Sequence, residues 1–302
     1  MKFDPFTFRH DIGAEHQVGI TRRKEEKMEN LKAMSFDFRK DIVDMIMSGK
    51  GGHIGGDMSV LDILIELYYE QMNISPENMN CPDRDRFVMS KGHAVEALYT
   101  VLAHKGFFPI EEVIEKFSKF GSPYIGHPNN KLPGIEMNSG SLGHGLPVSV
   151  GMALAGKMDK RDYRVYTVMG DGEIAEGSVW EAFMAGGHYK LDNLCAVIDL
   201  NGLQISGTTD YVMNHREVAK QVADFGWHVI EVDGHDYAAL RKAFDEAKVT
   251  KGMPTCLIAH TTKGYGAAIM ENKAGWHHHL PNQEEYEEII AEFAARKEEV
   301  LK

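Results

Sequence analysis

The sequence predicts an α/β fold: a doubly wound, mainly parallel sheet with helices on both faces. Two observations carry this. The segments Arg164-Val165-Tyr166-Thr167-Val168-Met169 and Leu194-Cys195-Ala196-Val197-Ile198-Asp199-Leu200 are β-branched and apolar almost throughout. That is the composition of strands buried on both faces. The stretch between them, Ser178 to Tyr189, has the length of one crossover helix, and the alternation then resumes. Trp227 to Val232 reads as a strand, Tyr237 to Lys248 as a helix and Thr255 to His260 as another strand, a pattern typical of βαβ units.

The earlier elements follow from periodicity. Leu31, Met34, Phe38, Ile42, Met45 and Ile46 recur at three and four, so an amphipathic helix is expected from Leu31, stopping at Gly49. A glycine-rich loop, Gly49 to Gly56, comes next. Ser59 followed by Asp62 has the spacing of a capping box for a helix running to about Met72. Asp85 to Ser90 reads as a short strand leading through Lys91-Gly92-His93-Ala94 into a helix. A glycine-rich connection from Gly121 to Gly145, carrying His127 and His144, leads to a helix of small residues around Gly151 to Gly156. The charged stretch Gln283 to Lys302 reads as a surface helix. With no internal repeat, low-complexity tract or linker, one domain over residues 1–302 is expected, with an N-terminal extension to about residue 30 and a C-terminal helix over 283–302.

A chain of 302 residues can bury one large core. Its net charge of -12 argues against nucleic acid and anionic membrane surfaces as partners, because both demand a basic footprint. No basic leader precedes an apolar run, and no stretch approaches the roughly eighteen apolar residues of a membrane span. A soluble, cytoplasmic protein is expected. Cys81, Cys195 and Cys256 are scattered, which suits reduced thiols better than a disulfide framework.

The chemistry-bearing segment is Gly170-Asp171-Gly172-Glu173-Ile174-Ala175-Glu176-Gly177, followed about one βαβ unit later by Asp199-Leu200-Asn201-Gly202. Ligands of such units bind beyond the carboxyl ends of the strands, where Asp171 and Asn201 both fall. Mg²⁺ asks for hard oxygen ligands and shares them readily with phosphate. One carboxylate (Asp171), one amide oxygen (Asn201) and the backbone carbonyl of Leu203 would leave room for two phosphate oxygens and a water. Gly170 and Gly172 let the backbone approach the phosphates with no Cβ in the way. Gly-Asp-Gly alone is a common turn; the whole pattern is far more specific.

That pattern resembles the thiamine diphosphate motif, and Glu176 to Ala182 with Leu191 to Leu194 is similar to transketolases in particular. Gly52-His53-Ile54-Gly55-Gly56 and Ser90-Lys91-Gly92-His93-Ala94 are similar to the family's two Gly-His segments, and Gly126-His127-Pro128 and Trp276-His277 also match family positions. The resemblance implies thiamine diphosphate and Mg²⁺, with Ca²⁺ or Mn²⁺ as substitutes, and transfer of a two-carbon ketol unit from a ketose to an aldehyde. By the same resemblance Gly170, Asp171, Gly172, Glu173, Asn201 and His93 bind the cofactor. His53 and His277 handle protons at the donor C3 hydroxyl and the acceptor aldehyde, with His277 also reaching the diphosphate, and His127 binds the C1 hydroxyl. Gly140 and Leu142, in Gly140-Ser141-Leu142-Gly143-His144-Gly145, support the aminopyrimidine and the bent cofactor. Glu176 matches a carboxylate that communicates with an activating glutamate on a pyrimidine-binding domain.

The chain departs from the family at Ile54, where proline is usual, and at His278-His279, where glycine and lysine are usual. The second change lies at the mouth of the substrate site, against ordinary pentose-phosphate specificity. The likeness runs from about Leu31 to about Pro281 and covers only the diphosphate-binding half of a transketolase. The implied protein is therefore the N-terminal subunit of a split enzyme. It would work on sugar substrates with a C-terminal, pyrimidine-binding subunit, in an assembly of two copies of each. The alternatives are the α subunit of a 2-oxoacid dehydrogenase, a deoxyxylulose phosphate synthase, a silent binding subunit, and histidines that hold zinc.

Overall fold

A computed structural model describes residues 12–302, with side chains from residue 26 on. Helices α1 (Ile12–Gly49) and α2 (Ile54–Glu66) precede strand β1 (Arg86–Met89), α3 (Val95–His104) and the short α4 (Ile110–Lys116). An irregular stretch leads to α5 (Gly145–Met158), β2 (Val165–Gly170), α6 (Gly177–His188) and β3 (Leu194–Leu200). A small antiparallel hairpin, β4 (Leu203–Gln204) and β5 (Gly207–Thr208), follows with α7 (Thr209–Met213) and α8 (Val218–Asp224). The chain closes with β6 (His228–Asp233), α9 (Tyr237–Val249), β7 (Thr255–His260) and α10 (Gln283–Val300).

The main sheet has the order β1-β2-β3-β7-β6 and is parallel throughout. Alternation along each strand feeds two cores. Tyr166 and Val168 of β2 pack with Cys195 and Val197 of β3 against the face covered by α1, α2, α3 and α9. Val165 and Met169 pack with Ala196 and Ile198 against α5, α6 and α8. Helices thus lie on both faces, as the sequence predicts, and the strand bounds agree within a residue or two.

Two expectations at the N-terminal end are corrected. The first helix starts at Ile12 rather than Leu31. Residues 12–30 hold many strong helix formers and no proline, and they lack the regular apolar stripe that begins at Leu31. Of the expected extension, residues 1–11 lie outside the described residues. The second helix starts at Ile54, directly after His53, so Ser59 lies inside it and caps nothing. Its hydroxyl donates to Gly56 O (3.0 Å) and to Asp199 Oδ2 (2.6 Å). Two glycines occupy the first turn because the site crowds it: a Cβ at Gly55 would stand 2.7 Å from Trp276 O. The helix ends at Glu66 and runs on as a π turn, Leu67–Gln71.

Candidate functional site

Strands β1, β2, β3 and β7 end at one edge of the sheet, and the segments that follow them line a cavity of about 380 Å³. After β1 come Lys91 and His93, after β2 Gly170 to Glu173, after β3 Asn201 and Leu203, and after β7 Lys263. His53 enters from the turn before α2, His277 from the single turn Ala274–His277, and Gly140 and Leu142 from the irregular stretch. Asp171, Asn201 and Leu203 therefore line the same cavity.

Asp171 is buried, and its two oxygens accept from Gly172 N (2.8 Å) and Gly202 N (2.5 Å). It makes no ion pair among the described residues, although burial and then the neighbouring Asp199 carboxylate push it up to about 6. The Asn201 amide oxygen accepts from Leu203 N (3.1 Å), and Leu203 O accepts from Lys263 Nζ (3.2 Å). One under-compensated carboxylate, one amide oxygen and one carbonyl form a hard-oxygen donor set, which fits Mg²⁺, Ca²⁺ or Mn²⁺ and does not fit zinc.

Two buried lysines provide the positive charge. Lys91 Nζ donates to Gly56 O (2.9 Å) and pairs with Asp199, whose carboxyl also receives the Ser59 and Thr261 hydroxyls. Burial pushes Asp199 up, but Lys91 and these hydroxyls reverse the effect and hold it below the usual range. Lys263 Nζ donates to His277 Nδ1 (2.9 Å), which leaves Nε2 to carry that ring's proton. Burial and then Lys91 lower Lys263 to about 8.

Five imidazoles cluster beside them. The His53 ring centroid lies 5.3 Å from His93, 5.9 Å from His127, 5.5 Å from His277 and 4.7 Å from His278. Burial, then His278 and His127, depress His53 to about 4. Burial, then Lys263, depress His277 to about 3. Burial and Lys91 hold His93 well down, and burial alone lowers His127. All four are neutral at pH 7; His53, His93 and His127 each carry one donor and one acceptor nitrogen, whereas His277, its Nδ1 taken by Lys263, offers only the Nε2 donor. Tyr99 OH, 3.1 Å from both Ile125 O and His127 O, pins the loop that presents His127. Gly140 has φ +142°, and a Cβ there would stand 2.7 Å from the His127 ring.

The remaining expected residues divide. Leu142 is half-buried on the cavity wall. Glu173 borders the cavity, but its oxygens accept from Ser90 Oγ, Gly143 N (2.9 Å) and Gly170 N (3.1 Å). It ties together the three loops that form the wall. Glu176 is exposed at the start of α6, outside the cavity lining, against the Gly143 loop. The two extra histidines part company: His278 is exposed beside His53, whereas His279 turns away to Glu285 Oε2 (2.8 Å) and the Trp276 ring. Sequence reasoning missed Lys91, Lys263 and Gln204 as cavity residues. Lys91 lies within the Ser90 to Ala94 motif, and Lys263 follows β7 at the carboxyl edge, the same signal that found Asp171.

Comparison with known proteins agrees with this geometry. The family described as transketolase, thiamine diphosphate binding domain matches residues 32–298. An apulose-4-phosphate transketolase subunit of Phocaeicola vulgatus is 49% identical over 276 residues, 91% of this chain and 98% of that one. A 6-deoxy-6-sulfo-D-fructose transketolase subunit of Clostridium sp. is 40% identical over 242 residues, covering 80% of this chain and 88% of that one. The solved transketolase of Leishmania mexicana superposes with a TM-score of 0.80 at 29% identity, over 90% of this chain and 45% of that one. This chain therefore spans about half of that full-length enzyme. A cavity at the carboxyl edge of the sheet with a hard-oxygen donor set, found in a chain matched over nearly all its length, leads to one assignment: the chain belongs to the transketolase family and carries its thiamine diphosphate binding domain.

Proposed function

We propose that this chain is the N-terminal subunit of a two-chain transketolase, transferring a two-carbon ketol unit from a ketose to an aldehyde. One observation carries the reading: the oxygen donors, two buried lysines and a cluster of neutral imidazoles share one cavity wall. Thiamine diphosphate, when bound, supplies the nucleophilic carbon and the electron sink for breaking and making the carbon–carbon bond. Asp171, Asn201 and Leu203 O would hold the divalent cation, and Lys263, His93 and the backbone at Gly170 and Gly172 would hold the diphosphate. His277, kept in one tautomer by Lys263, presents its Nε2 proton to the acceptor oxygen or the diphosphate. His53 would take the proton of the donor C3 hydroxyl, and His127 would bind the C1 hydroxyl. Leu142 and the Gly140 carbonyl would meet the cofactor's rings. Glu173 would act by setting the loops.

The same imidazole cluster disfavours the 2-oxoacid dehydrogenase reading, whose substrates lack a row of hydroxyls. Glu176 stands exposed, available to a carboxylate on a pyrimidine-binding partner subunit. Two copies of each subunit is the expected assembly. One domain, residues 1–302, is the unit contributed. Among the described residues no helix is long and apolar enough to cross a membrane. We place the enzyme in the cytoplasm, which suits three free cysteines. The first ketose to test is apulose 4-phosphate, since the relative named for it is more similar than the one named for sulfofructose.

The experiment pairs the purified chain with the pyrimidine-binding subunit, thiamine diphosphate and Mg²⁺. It follows aldehyde transfer together with light scattering. Activity only in the presence of both subunits, in a two-plus-two complex, is expected. Full activity from this chain alone would overturn the split-enzyme reading.

A further inference from the structure

Behind the imidazole cluster lie two carboxyls for which the proposed reaction has no use. Asp57, in the first turn of α2, and Glu96, in the first turn of α3, are both fully buried, and the Asp57 carboxyl bonds the main chain of Ala97, directly beside Glu96. Glu96 Oε1 accepts from His53 N (3.2 Å), and Asp57 Oδ1 accepts from Ala97 N (3.0 Å). No described group donates to the remaining oxygens, Asp57 Oδ2 and Glu96 Oε2. Neither residue makes an ion pair among the described residues. Two adjacent carboxylates without a cation cannot both be ionised in an apolar interior, whereas one proton between them satisfies both free oxygens.

The surroundings indicate what the pair holds. The His53 main chain is gripped on both sides: Glu96 takes its N–H, and its carbonyl accepts from Gly56 N (3.0 Å) and Asp57 N (3.2 Å). Gly52 leaves the space that Glu96 occupies, since a Cβ there would strike Glu96 Oε1 and Ile46. The Asp57–Ala97 bond fastens this turn to the start of α3, just after His93, and the two rings stand 5.3 Å apart. The titratable groups facing the pair are His53, Tyr99 and Lys91, and the Lys91 ammonium is already engaged by Asp199.

We propose that Asp57 and Glu96 share a single proton and act as positioning residues, fixing His53 relative to His93. The role assigned to His53 rests on the transketolase reading above; the shared proton does not. Burial pushes Glu96 up to about 8 and, with Glu96 beside it, Asp57 well above the usual range. A carboxyl raised on folding favours the folded state at low pH and loses that contribution as pH rises through its folded value. When alkaline pH removes the shared proton the pair becomes a buried dianion, and the seat of His53 loosens.

Three variants and three readouts test this. Glu96→Gln keeps an acceptor for His53 N and donates an amide proton to the Asp57 carboxylate, as does Asp57→Asn in reverse, whereas Glu96→Ala removes the acceptor. In infrared spectra of the chain at pH 7, the wild type should show a protonated-carboxyl carbonyl stretch that Glu96→Gln and Asp57→Asn both lack. In NMR spectra of the chain, the His53 ring signals should move in Glu96→Ala and stay in place in Glu96→Gln. In the two-subunit enzyme, the wild type should lose kcat/KM reversibly at alkaline pH through loss of the shared proton, and Glu96→Gln should not. Glu96→Ala should fall by about 10- to 100-fold at pH 7, the size expected of a displaced reacting group. An unchanged carboxyl band, or a Glu96→Gln enzyme with the wild-type alkaline loss, would overturn the proposal. If the assembled wild type shows no transfer at all, the transketolase reading fails alone, and the infrared and NMR measurements still decide the pair.

Discussion

Lys91→Met tests whether the floor of the cavity is a charge-balanced unit. The Lys91 ammonium is 1% exposed and the Asp199 carboxylate fully buried, so removing the cation strands an anion that keeps only the Ser59 and Thr261 hydroxyls. Breaking a buried pair from one side costs about 3–5 kcal/mol, mostly the penalty of the uncompensated charge. Asp199→Asn strands the cation and should cost a similar amount. In the double variant Lys91→Met/Asp199→Asn no charge remains to be stranded. The Ser59 and Thr261 hydroxyls can still bond the amide, so the total should fall to about 1–3 kcal/mol. That makes the pair strongly non-additive, well beyond the roughly 0.5 kcal/mol within which independent sites add. Urea unfolding of the chain, followed by the fluorescence of Trp180, Trp227 and Trp276, measures all four forms. Additive losses in the double variant would refute the reasoning and return Lys91 to the status of a buried packing residue.

Three further outcomes are expected. Asp171→Ala should abolish cofactor-dependent transfer, because it removes the single carboxylate of the donor set; unchanged calorimetric affinity for thiamine diphosphate with Mg²⁺ would remove the metal assignment. Alanine at His53 or His127 should lower kcat/KM by about 10²- to 10⁴-fold while cofactor affinity stays within a few-fold; turnover close to wild type would make them structural histidines. Asp62 is buried, which raises its pKa, but Arg39, Lys32 and His235 together hold it well below the usual carboxylate range. Its stabilising contribution is therefore present above about pH 4 and lost as pH falls further, so Asp62→Asn should flatten the acid limb of the stability profile. A variant that keeps the wild-type acid limb would contradict this.

The strands and the motif were legible because their signals are local. A parallel strand covered on both faces reads as a nearly continuous apolar run, and β2 and β3 do, with Thr167 and Asp199 as the polar exceptions. Asp171 and Asn201 could be placed because each follows such a strand at the carboxyl edge. The start of α2 was hidden for the opposite reason. Ser59 and Asp62 have capping-box spacing, yet both side chains are buried by partners far away in sequence: Asp199 for Ser59, and Arg39, His235 and Tyr237 for Asp62. Lys91 and Lys263 escaped because an isolated lysine is nearly always a solvated one. Only the tertiary structure brings Asp199 to the first and His277 to the second. His278 and His279 are adjacent in sequence, but the chain leaves its short turn after His277 and sends one to the site and the other to α10.

The charge distribution resolves an apparent conflict between a net charge of -12 and a cavity built for a diphosphate. Long-range attraction cannot be the source of affinity, since the field of the whole chain opposes an anion. The site instead works at contact distance, where burial weakens screening. Lys263 is a cation held ready beside the oxygen donors. Lys91 is already neutralised by Asp199, which leaves the floor polar without excess charge. The imidazoles stay neutral because burial and these same lysines disfavour their protonation. Neutral rings matter to the chemistry as much as cations do. A protonated His53 could not accept a proton from a sugar hydroxyl, and at about 4 it is ready to do so throughout the neutral range. On the proposed reading the lysines thus serve two ends: Lys263 would attract the anion, and both would keep the imidazoles neutral and able to act on substrate.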